Sequence, residues 1–213
     1  MDKKLEEIKQ YVKENLKNDC SGHGWYHTER VWQMSRTIAE EEKDVDLFVL
    51  EASAFLHDLI DWKIENKKSS EDIKEYLRSL DIDEERVQEI IKIIKNISFK
   101  GANTESKMDS IEGKIVQDAD RLDALGAIGI ARCFAYGGKN GQKMYDPDIL
   151  PKLHDSFEDY KESETTSLNH FYEKLLLLKD KMNTERGNEI AEERHECMID
   201  FLNRFFEEID GDK

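Results

Sequence analysis

Phe55-Leu56-His57-Asp58-Leu59-Ile60-Asp61 is the stretch around which the rest of the chain is organised. It is an apolar run that ends in an adjacent His-Asp pair and repeats a carboxylate four residues after the histidine. On a helix, His57 continues the inward stripe of Val49, Leu50, Ser53 and Leu56, and Asp61 at i+4 shares its direction. Buried carboxylates need partners. An unpaired charge in a core shifts its pKa or destabilises the fold, whereas one divalent cation satisfies several such groups at once. The pair is therefore either the centre of a metal site or a histidine capped by an aspartate in a helical core. Ligands elsewhere in the chain decide between the two.

Upstream, Gly22-His23-Gly24-Trp25-Tyr26-His27-Thr28-Glu29-Arg30-Val31 leads into a helix whose inner stripe is Val31, Met34 and Ile38. Projected backward, that stripe reaches His27, so His27 opens the helix facing inward. Downstream, Asp109 and Glu112 have capping-box spacing ahead of Ile115 and Val116, which predicts a helix from Ile111 to about Leu125. Its centre, Gln117-Asp118-Ala119-Asp120-Arg121-Leu122-Asp123, holds three aspartates among apolar neighbours. Asp118 follows Ile115 at i+3, which turns it inward, and Arg121 lies one turn on, near enough to orient or neutralise it. His27, His57, Asp58 and Asp118 are thus the expected metal ligands.

The remaining segments read as scaffold. Leu5, Ile8, Val12 and Leu16 mark a helix over residues 2–17. Asp46 caps a helix running to about Asp61, Ser69 one through Ile73 and Leu77, and Asp83 one through Val87, Ile90 and Ile94. Lys95 and Lys100 sit where that last helix meets a loop, either as solvated surface or as contacts to a substrate. Residues 124–135 are rich in small side chains and end at Tyr136-Gly137-Gly138. Residues 139–166 are polar, contain both prolines, and form either a lid or a plain surface excursion. Thr166 or Ser167 caps a helix with Leu168, Phe171, Leu175 and Leu178 inside, and a last helix covers about Thr184 to Glu208.

Composition bounds the function. A 213-residue chain with two prolines and 38% charged residues, with apolar residues at helical intervals, predicts one all-α domain. No run is long and apolar enough to span a bilayer and the N-terminus lacks a signal-peptide core, so a cytoplasmic protein without a membrane partner is expected. Cys20, Cys133 and Cys197 are odd in number and widely spaced, and read as reduced thiols. A net charge of −16 disfavours binding to a DNA or RNA backbone, which draws its free energy from cationic contacts. The sequence does not define an oligomeric state.

The order His27, then His57-Asp58, then a distant Asp118 resembles the metal-binding signature of the HD superfamily of phosphohydrolases. Gly22 to Val31, Leu56 to Asp61 and Val116 to Ala124 look like its small single-domain bacterial branch, and the succession of helices fits along most of the chain. The resemblance implies an HD-domain helical bundle, with the metal-site core at about residues 22–125 and C-terminal helices at about 167–208 packed on it. It implies one divalent ion per chain, Mn, Co, Ni, Fe or Mg, in a mixed nitrogen and oxygen site. Residues 59–117 contain no histidine, so the two-metal arrangement of some members is not expected.

The implied activity is hydrolysis of a small phosphorylated substrate by water that the metal acidifies. A nucleotide is the class the superfamily uses most often, cut either as a phosphomonoester or as a triphosphate releasing pyrophosphate. Asp61 is the first candidate to orient or deprotonate the water, with Asp123 second. Arg30, Lys63, Lys100 and Arg121 are candidate phosphate contacts. His23 could reach a phosphate or a metal-bound water, or cap a turn. The alternative is a non-catalytic module that binds metal or nucleotide and signals to a partner protein.

Overall fold

The structure is a computed structural model that describes residues 2–17, 22, 24–60, 68–97, 108–152 and 165–211. Among the described residues every regular element is helical, so the expected all-α class holds. The chain divides into two compact units, Met1–Lys100 with Glu105–Asp120, and Gly101–Thr104 with Arg121–Lys213. No helix among the described residues is long and apolar enough to cross a membrane.

The first unit is built around one helix. α1 (Lys3–Leu16) buries Leu5, Ile8, Val12 and Leu16, the predicted stripe, and α2 (Trp25–Ala39) buries His27, Val31 and Ile38. α3 (Leu47–Leu56) packs against both of them and against α5 (Glu84–Asn96). Every residue of α3 from Val49 to Leu56 is buried, and a helix apolar all round belongs inside a core. α4 (Ser70–Ser79) starts with a complete Ser69–Asp72 capping box and packs on α5, which Asp83 caps.

Two local expectations fail for physical reasons. The helix expected to run to about Asp61 is α-helical only to Leu56, and His57–Ile60 continues as a 3-10 turn. The i+4 argument for Asp61 needed an uninterrupted α-helix; Asp61 itself lies outside the described residues. The capping box expected at the start of α6 (Ile111–Asp123) does not form. Asp109 pairs with Lys92 at 2.8 Å, Glu112 turns toward the backbone of Asp46, and the Ser110 hydroxyl accepts from the Gly113 amide at 3.3 Å instead.

In the second unit α7 (Gly126–Lys139) continues through the glycines expected to end it. A Cβ on Gly137 would lie 2.1 Å from Ser167 Oγ, so this glycine serves close packing and not helix termination. The helix expected after Ser167 is fragmented into α8 (Asn169–Glu173) and 3-10 turns at Leu175–Leu177 and Lys179–Lys181, although Leu168, Phe171, Leu175 and Leu178 are buried as predicted. α9 (Glu185–Asp210) is capped by Thr184 and ends at Gly211 in the left-handed conformation. Within the polar stretch after α7, the amides of Ser167 and Leu168 donate to the carbonyls of Lys143 and Met144 at 2.9 and 3.0 Å; residues 153–164 lie outside the described residues.

The thiol of Cys133 donates to the Ser167 carbonyl at 3.2 Å, and burial pushes its pKa up to about 12. A thiol with that value stays protonated, and therefore a poor nucleophile, throughout the neutral range. Alkylation of the native protein at pH 8 followed by peptide mapping should modify the exposed Cys197 and spare Cys133 until the chain is unfolded.

Candidate metal centre

α2 delivers His27, and the 3-10 turn that follows α3 delivers His57 and Asp58. The two Nε2 atoms face each other at 3.1 Å. Asp58 lies 3.3 Å from His27 Nε2 through Oδ2 and 3.4 Å from His57 Nε2 through Oδ1. One ligand atom from each of the three residues lies within 4.8 Å of the others, and all three residues are buried. His57 Nδ1 is 2.8 Å from the Ala54 carbonyl, an acceptor only, so that nitrogen donates and carries the proton. The Nε2 lone pair is thereby directed at His27 and Asp58. Asp58 Oδ2 is buried and accepts no hydrogen bond among the described residues.

These residues fit a divalent cation better than they fit one another. A single proton between the two Nε2 atoms would satisfy both rings but leave a buried carboxylate oxygen without a donor, at a cost of several kcal/mol in an apolar setting. A dication accepts both nitrogen lone pairs and the carboxylate together. Imidazole with carboxylate is the donor set of the borderline divalent metals.

Asp118, the fourth expected ligand, is completely buried. The carboxylate of Asp120 also lies beside the imidazoles, its Oδ1 3.4 Å from His27 Nε2 and 3.8 Å from His57 Nε2. Ile115, Val116, Gln117, Asp118, Ala119, Arg121 and Leu122 are all buried, so α6 is enclosed on nearly every side. Inward is then not one direction, and stepping i+3 from Ile115 does not distinguish the side of Asp118 from the side of Asp120. The Asp120 side chain is 31% exposed, against 1% and 2% for the two imidazoles, and forms the open edge of the cluster.

Arg30 is half-buried on α2, i+3 from His27 and so on the same side of that helix. Arg121 donates to the Lys181 carbonyl, which occupies one nitrogen of a guanidinium expected to meet phosphate. The carboxyl of Asp123, expected as a second-choice base, is buried and accepts from Arg132 Nη1 at 2.8 Å, an engagement that a general base would have to give up. His23, Asp61, Lys63 and Lys100 lie outside the described residues.

The HD domain family model matches residues 24–125, a span that includes all four residues of the cluster. Over 212 residues the chain is 39% identical to the Bacillus subtilis protein YpgQ, described as uncharacterized, covering 98% of this chain and 95% of that protein. The crystal structure of YpgQ in complex with ADP matches with a TM-score of 0.78 at 36% identity, over 97% of this chain and 98% of that one. A Lactobacillus plantarum protein matches with a TM-score of 0.88, 37% identity and coverage of 99% and 98%. A Bacillus thuringiensis protein described as an HD-superfamily hydrolase matches with a TM-score of 0.75, 42% identity and 97% coverage of each chain.

Proposed function

This chain belongs to the HD superfamily of hydrolases, and on that premise we propose that it is a metal-dependent phosphohydrolase acting on a nucleotide, with His27, His57, Asp58 and Asp120 as protein ligands. The observation that carries the reading is the convergence of two imidazole nitrogens on a buried carboxylate, one oxygen of which has no donor among the described residues. A divalent cation bound there supplies Lewis acidity toward a phosphoryl group and lowers the pKa of a water to near neutrality. The protein's own part is orientation and charge. The Ala54 carbonyl holds the His57 ring in one tautomer, and two carboxylates beside two neutral imidazoles match the charge of a dication.

Substrate approaches along the open edge at Asp120, and Arg30, one turn from His27, meets the phosphate. Asp61, the next residue after the 3-10 turn, takes the proton of the attacking water. Support for a nucleotide comes from the complex of YpgQ with ADP and from the habit of the superfamily. Phosphate and pyrophosphate release should be measured from nucleoside mono-, di- and triphosphates, with Mn, Co, Ni or Mg added singly to metal-stripped protein. Metal-dependent release is expected, and the product identifies the bond cut. Tight binding of one metal without release from any compound would turn the assignment to a non-catalytic binding module.

The assignment of the fourth ligand has its own test. Asp120→Ala should weaken Mn2+ binding at least as much as loss of a partner outside the ligand sphere, about 10–100-fold, while leaving the fold intact. Asp118→Ala should lower the melting temperature of the metal-free protein and leave the affinity of the folded fraction near wild type. Calorimetric titration of both variants reads the difference.

A further inference from the structure

We propose that Glu112 is a positioning residue for the metal centre: it closes the N-terminal cap of α3 from α6, and so sets the register in which His57 and Asp58 meet Asp120. The proposal rests on the metal-site reading above. Asp46 is the N-cap of α3, and its Oδ1 accepts from the amides of Phe48 and Val49 at 3.0 and 3.2 Å. In a capping box, a carboxylate at the third helical position would reach back to the N-cap amide. In α3 that position is Val49, which has no acceptor to offer. Glu112 supplies it from another helix, its Oε1 accepting from the Asp46 amide at 2.7 Å. Glu112 is only 8% exposed, so solvent competes little for this bond.

The second tie at the same corner is of a different kind. Arg86 Nε donates to Asp46 Oδ2 at 2.8 Å, but both side chains are over a third exposed and the pair is screened. Glu112 therefore carries a buried connection, among the described residues, between the start of α3 and the start of α6. From the Asp46–Glu112 contact, about 15 Å of rise leads along α3 to the His-Asp turn and about 12 Å along α6 to Asp120, at 1.5 Å per residue. The two paths meet again where Asp120 Oδ1 lies 3.8 Å from His57 Nε2. Two helices joined at one end have their axial offset fixed at the other. A slip of about 1 Å is a large error for a metal ligand, whose distance tolerance is about 0.2 Å.

Mn2+ dissociation constants of the full chain, measured by calorimetry for wild type, Glu112→Ala, Glu112→Gln, Glu112→Asp and the control Leu77→Ala, test this. Leu77 is buried on α4, which carries no ligand, so its truncation destabilises without touching the tie. Glu112→Ala should weaken Mn2+ binding by about 2- to 30-fold, the range for residues that couple distant sites. Glu112→Gln, whose amide oxygen can accept the same N–H, should bind as wild type. Glu112→Asp keeps the charge but shortens the reach, and should also weaken binding, which keeps the test decisive where the alanine variant does not fold. Leu77→Ala should leave the affinity unchanged. Wild-type affinity in folded Glu112→Ala or Glu112→Asp overturns the proposal alone, as does equal weakening in Leu77→Ala or a glutamine variant as weak as the alanine one. Absence of Mn2+ binding by wild type overturns it together with the metal-site reading.

Discussion

Asp58→Ala should abolish both metal binding and hydrolysis while the protein remains folded. Asp58 faces both imidazoles, and its buried Oδ2 is satisfied by no donor among the described residues. Its loss removes the charge that gathers a dication between two neutral rings. Losing a partner outside the ligand sphere costs about 10–100-fold in affinity or activity, so losing a direct ligand should cost more than that in both. Melting temperature provides a readout independent of turnover. A ligand at 100 times its dissociation constant stabilises the native state by about 2.7 kcal/mol. At about 2–4 °C per kcal/mol for a chain of this length, Mn2+ should raise the wild-type melting temperature by roughly 5–11 °C. Asp58→Ala should show no such rise. A wild type whose melting temperature ignores every divalent metal would mean that the His-Asp cluster is a packed polar core.

The contrast between Asp118 and Asp120 shows what periodicity could and could not reveal. His27 was legible because it continues the stripe of Val31 and Ile38 on a helix with an exposed outer face, so direction along that helix was defined, and His57 and Asp58 because they end a continuous apolar run. On α6 that condition fails, because the helix is buried on nearly all sides and both aspartates follow an apolar residue at helical spacing. A usable signal was present in principle. In this otherwise enclosed segment Asp120 is an aspartate left partly exposed, and that exposure depends on tertiary packing.

Helix positions followed the same logic. Ends set by local caps, such as Ser69 with Asp72, Asp83 and Thr184, were predictable from neighbouring residues. Ends set by distant groups were not. Gly137 is retained inside α7 by its approach to Ser167, and Glu112 leaves its own helix's cap for the amide of Asp46.

Arg132→Met should be among the most destabilising substitutions in the second unit, and its partner change should reverse much of the loss. Arg132 Nη1 donates to both the carboxylate and the backbone carbonyl of Asp123, at 2.8 and 3.2 Å, with the two side chains 15% and 6% exposed. Breaking a buried pair from one side costs about 3–5 kcal/mol, because a desolvated charge loses its counterion. That corresponds to a fall of roughly 6–20 °C in melting temperature. Replacing both partners by apolar residues is often neutral or stabilising, so adding Asp123→Leu to Arg132→Met should recover much of the stability. The same double variant separates the two roles open to Asp123. If the carboxylate serves packing, turnover per folded molecule survives its replacement by leucine. If it serves as the general base, turnover falls by about 10²–10⁴-fold even where stability has returned. The ion pair makes the first outcome the expected one, since a base held by a guanidinium must break that contact before it can accept a proton.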